Sequence, residues 1–228
     1  MRTILTRKSA VSLAAAAVLS VSLAACSQDT GTEAQASSKQ QSSQQEQSAP
    51  QAVAAIPALT GDDTAVALDK GFTDALTALK LTPGVVGSAK LTDGALVFPI
   101  TGGNVTVFEP GDVDPYVIGQ VQHEGSGFSL TAGDTTVEIA NLNVDPGTSK
   151  AYGDVSVNGE VAATSVPVFN LDGRTLEPLS TQGNKAILEG AEVKISEVAA
   201  PLLNDVFKTD AVKPGLLVGT ATITVNVK

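Results

Sequence analysis

The chain has 228 residues, with 14 Lys and Arg against 24 Asp and Glu, 4% aromatic residues, no Trp, one His and one Cys. This acidic balance excludes a nucleic-acid partner gripped by basic patches, because phosphate binding needs Lys and Arg clustered on one face. One cysteine excludes an internal disulfide framework or a zinc site of several thiolates, and one histidine excludes any mechanism or metal site that needs two.

Residues 1–25 read as a signal peptide. Arg2, Arg7 and Lys8 give a cationic start, and the run from Ala10 to Ala25 is apolar or small. The run is shorter and more serine-dotted than the roughly 20 strongly apolar residues of a membrane-spanning helix. It ends in Leu23-Ala24-Ala25-Cys26, which resembles a bacterial lipobox. That resemblance implies cleavage before Cys26 and a diacylglycerol on its thiol. The membrane is then a partner through that lipid, and the protein sits on the extracellular face of the cell membrane. A thiol so used is no catalytic nucleophile. Residues 26–55 are expected to be the lipidated cysteine and a disordered tether. More than half of residues 27–50 are Gln or Ser, and none is Val, Ile, Leu or aromatic. Such a segment buries too little apolar area to offset its ordering entropy.

Residues 56–228 are expected to form one all-β domain, a sandwich or barrel-like sheet with two short peripheral helices. Thr60-Gly61-Asp62-Asp63 offers cap chemistry for a first helix, with Leu68, Phe72, Leu76 and Leu79 as its apolar stripe and Pro83-Gly84 as its end. Strand alternation follows. Val105 and Val107 share a parity, as do Val117, Gly119, Val121 and His123. Val137 and Ile139 share another, but Leu142 and Val144 take the opposite one, which predicts a bulge or break near Ala140-Asn141. Asn158-Gly159 between Val155-Val157 and Val161-Ala163 is a hairpin signal. A second helix is expected at 197–207 behind Ser196 as N-cap, with Pro201 in its early turns. The chain closes with Ala221, Ile223, Val225 and Val227 alternating with polar residues.

The order of these elements resembles a family. A helix precedes a sheet containing Gly119-Gln120-Val121-Gln122-His123-Glu124-Gly125; then come Val166-Pro167-Val168-Phe169-Asn170-Leu171-Asp172 and Leu188-Glu189-Gly190-Ala191-Glu192-Val193. A small-residue helix and Gly219-Thr220-Ala221-Thr222-Ile223 follow. Over residues 62–227 this looks like the HtaA-type domain of secreted and membrane-anchored actinobacterial proteins, some of which capture haem. The resemblance implies a β-rich fold and a haem ligand set made of a helix Tyr, three residues after a Phe, and a supporting strand His. His123 falls near the family's histidine. Phe72 is present, but the position three later is Ala75.

Candidate ligand-binding residues are therefore His123, Tyr116 and Tyr152, the only His and Tyr of the chain. A neutral imidazole can ligate iron or support a tyrosinate; the plainer alternative for His123 is a half-buried ring bonded to a backbone carbonyl. On the ligand reading, His123→Ala weakens binding and leaves the fold intact. Tyr116, next to Val117, is expected on the opposite face from His123. Glu109, Asp112, Asp114 and Glu124 have no calcium-loop spacing and read as a solvated acidic turn. Gly125-Ser126-Gly127 lacks nucleophile-elbow spacing. Two function classes follow. One is a non-catalytic lipid-anchored module that binds haem or a similar small apolar ligand. The other is an envelope structural or protein-interaction lipoprotein, of adhesion type, with no small-molecule ligand.

Overall fold

The two-residue alternation becomes thirteen strands among the described residues. The computed structural model describes residues 49–227; the expected signal peptide, Cys26 and the expected tether as far as Ser48 lie outside them. The strands are β1 (Ala52–Ile56), β2 (Asp63–Leu68), β3 (Thr82–Gly87), β4 (Lys90–Thr92), β5 (Ala95–Pro99), β6 (Gly102–Phe108) and β7 (Val117–Ala132). They continue as β8 (Thr135–Asp145), β9 (Lys150–Val157), β10 (Glu160–Asp172), β11 (Ser180–Gln182), β12 (Lys185–Ile195) and β13 (Leu217–Asn226). Two helices, α1 (Lys70–Ala78) and α2 (Ala199–Phe207), complete the all-β fold.

The sheet is antiparallel, in the order β1-β6-β7-β8-β9-β10-β12-β13-β2-β5-β4, with β3 added to β7 and β11 to β12. It curls until β2 and β5 face β7 across the interior. Thr64 of β2 hydrogen-bonds His123 of β7, and the Phe98 ring of β5 meets the imidazole edge-on with centroids 6.2 Å apart. The two facing layers make a sandwich.

The first helix begins later than its cap signal suggests. Asp63–Leu68 is strand β2, held between β13 and β5, and the true cap is Asp69. Asp69 Oδ1 accepts from the Gly71 and Phe72 amides at 2.7 and 3.3 Å. Leu68 fits both the strand parity of Thr64 and Val66 and the four-residue spacing of Phe72 and Leu76, which is how one apolar stripe spans two elements. The helix ends at Ala78, and Pro83-Gly84 lies inside β3 rather than closing it. The end of the tether expected over residues 26–55 overlaps an edge strand, because Ala52–Ile56 pairs with β6. The second helix starts at Ala199, with Ser196 Oγ accepting from the Val198 and Ala199 amides. Pro201 is its third residue, where a missing N–H costs nothing.

The expected slip in β8 is real. Asn141 has φ +53°, and the β7–β8 register shifts between His123 and Gly127. Gly125, at φ +70°, donates its amide to Asn141 Oδ1, and Asn141 Nδ2 donates to Asp154 Oδ2. Asp154 Oδ1 in turn accepts from the Ser165 amide. Bulged residues on β7, β8 and β10 are thus stitched together through Asp154 of β9, and Val121, His123 and Leu142 all face inward.

Two packed clusters divide the interior unequally. The four buried phenylalanines, Phe72, Phe98, Phe128 and Phe169, all belong to the larger one beneath α1 and α2. The smaller holds Leu59, Ile100, Val121, Ala186 and Val225. One end of the sandwich is packed with rings, and the other is lined by short aliphatic side chains.

Candidate functional site

His123 is 1% exposed, enclosed rather than half-buried. Its partners fix its tautomer. The Leu142 carbonyl can only accept, so Nδ1 carries the proton and donates to it at 3.2 Å. Nε2 then accepts from the Thr64 hydroxyl at 2.8 Å. Burial pushes the imidazole down to about 4, with the Leu142 hydrogen bond opposing the shift. Both ring nitrogens are in use, and the ring is neutral throughout the physiological range.

Tyr116 and Tyr152 lie apart from it. Tyr152 stands between Ala151 and Gly153, both buried, so it takes the other face of β9; its hydroxyl is 3.5 Å from Thr148 Oγ1. Tyr116 immediately precedes β7, and its carbonyl accepts from the Phe108 amide. Contrary to a simple parity argument, Tyr116 and its neighbour Val117 line the same space. The strand is not yet regular at Tyr116, so alternation does not apply there. Glu109, Asp112, Asp114 and Glu124 are all exposed. Among the described residues no three His, Cys, Asp or Glu converge as a metal set would.

The space Tyr116 lines is a cavity of about 1250 Å³ at the aliphatic end of the sandwich. Its floor is formed by the buried residues Val107, Val117, Val121, Ala186 and Val225. Exposed lining residues from the segment after β1, from the turn after β10, and from β11 and the residue before it mark its rim, including Ala58, Arg174 and Leu179. Asp172 organises one side of that rim. Arg174 donates to it from Nε and Nη2 at 2.9 and 2.7 Å, and Lys194 Nζ reaches it at 3.1 Å. These bonds, Arg174's first, hold the Asp172 carboxyl well below the usual carboxylate range. In the sequence Asp172-Gly173 carries only a turn signal, and nothing local marks Arg174 and Lys194.

His123 does not line this cavity. It lines a second, entirely apolar one of about 70 Å³, together with Phe72 of α1, Phe98 and Phe128. Val144, Leu171, Ala191 and Ile223 line both spaces and stand between them. The smaller space holds no ligand of haem's size, since small-molecule sites run to about 300–1,000 Å³.

The sequence matches no protein-family model and no curated protein. Among solved structures the chain is similar to the C-terminal domain of HtaA from Corynebacterium glutamicum, with a TM-score of 0.52 at 14% identity, over 74% of this chain and 98% of that one. The chain has the HtaA-type fold. The N-terminal domain of the same protein is a more distant likeness, with a TM-score of 0.41 at 11% identity, over 74% of this chain and 99% of that one. Within its HtaA-type fold the chain carries Ala75, half-buried on α1, where the resemblance implies a tyrosine. The histidine that would support such a ligand is locked to Thr64. The residues present therefore do not fit that haem ligand set. Of the three candidate residues, only Tyr116 faces a space large enough for a ligand.

Proposed function

We propose that this chain is a non-catalytic binding module that takes a small apolar ligand in the cavity between the β7 and β12–β13 layers. Lipid on Cys26 would hold it on the extracellular face of the membrane. The observation carrying this reading is the cavity itself: about 1250 Å³ walled mainly by aliphatic side chains, in a protein whose other end is packed around four phenylalanines and leaves a space of only about 70 Å³. Protein interiors pack to crystal density, and a wall facing open space forgoes dispersion contacts on that side. Larger residues at Ala186 or Ala191 would recover those contacts if packing alone mattered. The family resemblance supports haem as one member of the ligand class, with Tyr116 as the available phenol, but the geometry asks only for an apolar body of suitable size.

An uncharged solvatochromic dye tests this. Nile red is expected to bind the protein saturably with a blue-shifted emission. Ala186→Trp, which fills the floor, should weaken it at least tenfold, while Tyr152→Phe on the outer face should change nothing. If the dye does not saturate, the binding reading falls and the envelope-interaction reading takes its place. A haemin spectrum lost on His123→Gln in a variant that still melts cooperatively would move the ligand to the other end of the sandwich.

A further inference from the structure

We infer that the cavity takes a long alkyl chain, with the polar head of the same molecule at the rim beside Arg174 and Lys194. This rests on reading the cavity as a ligand site and names the class of molecule that enters it.

Three features of the cavity point the same way. Its wall is aliphatic, and Tyr116 is its one aromatic lining residue. Planar conjugated ligands are typically held by aromatic faces, through stacked or edge-on contacts. Here Val117, Val121, Ile223 and Val225 present methyl groups, which suit a flexible hydrocarbon held by dispersion and desolvation alone. The volume, about 1250 Å³, is also above the usual range for compact ligands, so the occupant is long or carries more than one chain.

The third feature is that polarity is one-sided. Of the charged residues lining the space, Asp172, Arg174, Lys194 and Glu197 come from the β10 turn, β12 and the approach to α2, and only Asp114 lies elsewhere. Arg174 uses Nε and one Nη2 proton on Asp172, which leaves its outer N–H groups facing solvent on a side chain that is 89% exposed. Lys194 bonds Asp172 and Glu192 and keeps a third proton. A head bearing oxygen acceptors, a carboxylate or a phosphate, can take those donors while its chain descends to the Val121 and Ala186 floor. The floor itself offers no charged group, so the reverse orientation would bury a charge without a partner.

Displacement of Nile red by straight-chain fatty acids from eight to fourteen carbons, below their micelle concentrations, tests the inference. The protein is the whole chain carrying Cys26→Ser, so that no acyl group of its own competes. Each added methylene is expected to tighten binding about three- to fourfold, as about 0.8 kcal/mol per buried CH₂ implies. Alkyl phosphates of equal length separate the two heads. Arg174→Gln should weaken every member of at least one head series several-fold without altering the dependence on length. Ala186→Trp should shorten the length at which affinity stops rising, and Ala58→Trp at the exposed rim serves if the first variant does not fold. Saturable Nile red that no alkyl chain displaces, or displacement independent of length, would overturn the inference and leave the apolar-ligand reading standing. Unaltered affinity for both heads in Arg174→Gln would overturn the placement of the head. Loss of dye binding in the parent protein would remove both the reading and the inference.

Discussion

Replacing His123 with alanine is expected to lower the stability of the fold by about 3–5 kcal/mol. The substitution removes a ring packed edge-on against Phe98 and strands two groups at once, the Leu142 carbonyl and the Thr64 hydroxyl. Each buried group left without a partner costs about 1–3 kcal/mol, and the cavity adds to that. Thr64→Val, which removes only the hydroxyl, should cost less than His123→Ala. Urea unfolding of the two variants measures both. A loss under 1 kcal/mol for His123→Ala would mean that the ring does not bridge the layers. On the ligand reading this substitution spares the fold, but the side chain is 1% exposed and both its ring nitrogens are bonded within the protein.

Acidification should weaken the fold through the same residue. The imidazole titrates near 6.5 when free and near 4 in place, because burial disfavours the charged form more than the Leu142 hydrogen bond favours it. Between those values the unfolded chain binds more protons than the folded one. This contribution to stability is therefore complete above pH 6.5 and is lost progressively as pH falls toward 4, amounting to about 3 kcal/mol. Since His123 is the only histidine, its imidazole resonance can be followed by NMR without overlap. No titration is expected above about pH 5; a midpoint near 6.5 would show an accessible ring.

Much of this architecture is written in short-range patterns. The parity of Val117, Val121 and His123 places the imidazole indoors, and Asn158-Gly159 makes its hairpin with φ values of +52° and +83°. The opposed parities on either side of Asn141 locate the bulge. Long-range partners are a different matter. Thr64 lies 59 residues from His123, and nothing local marks it as the group that takes the Nε2 lone pair. Thr60 to Asp63 carries good cap chemistry, yet pairing of β2 with both β13 and β5 outweighs it, as tertiary context commonly does. The cavity was illegible because its lining comes from many separate segments. Its faint signature is the small residues Ala186 and Ala191 at inward positions of β12.

On the proposed function the ligand sits at the aliphatic end of the sandwich and not beside His123. Methyl-resolved NMR during titration with an apolar ligand tests that location directly. Shifts are expected at Val117, Val121 and Val225, with the His123 imidazole and Ala75 unmoved. Shifts centred on His123 and Ala75, with the Val117 and Val225 methyls unchanged, would contradict it.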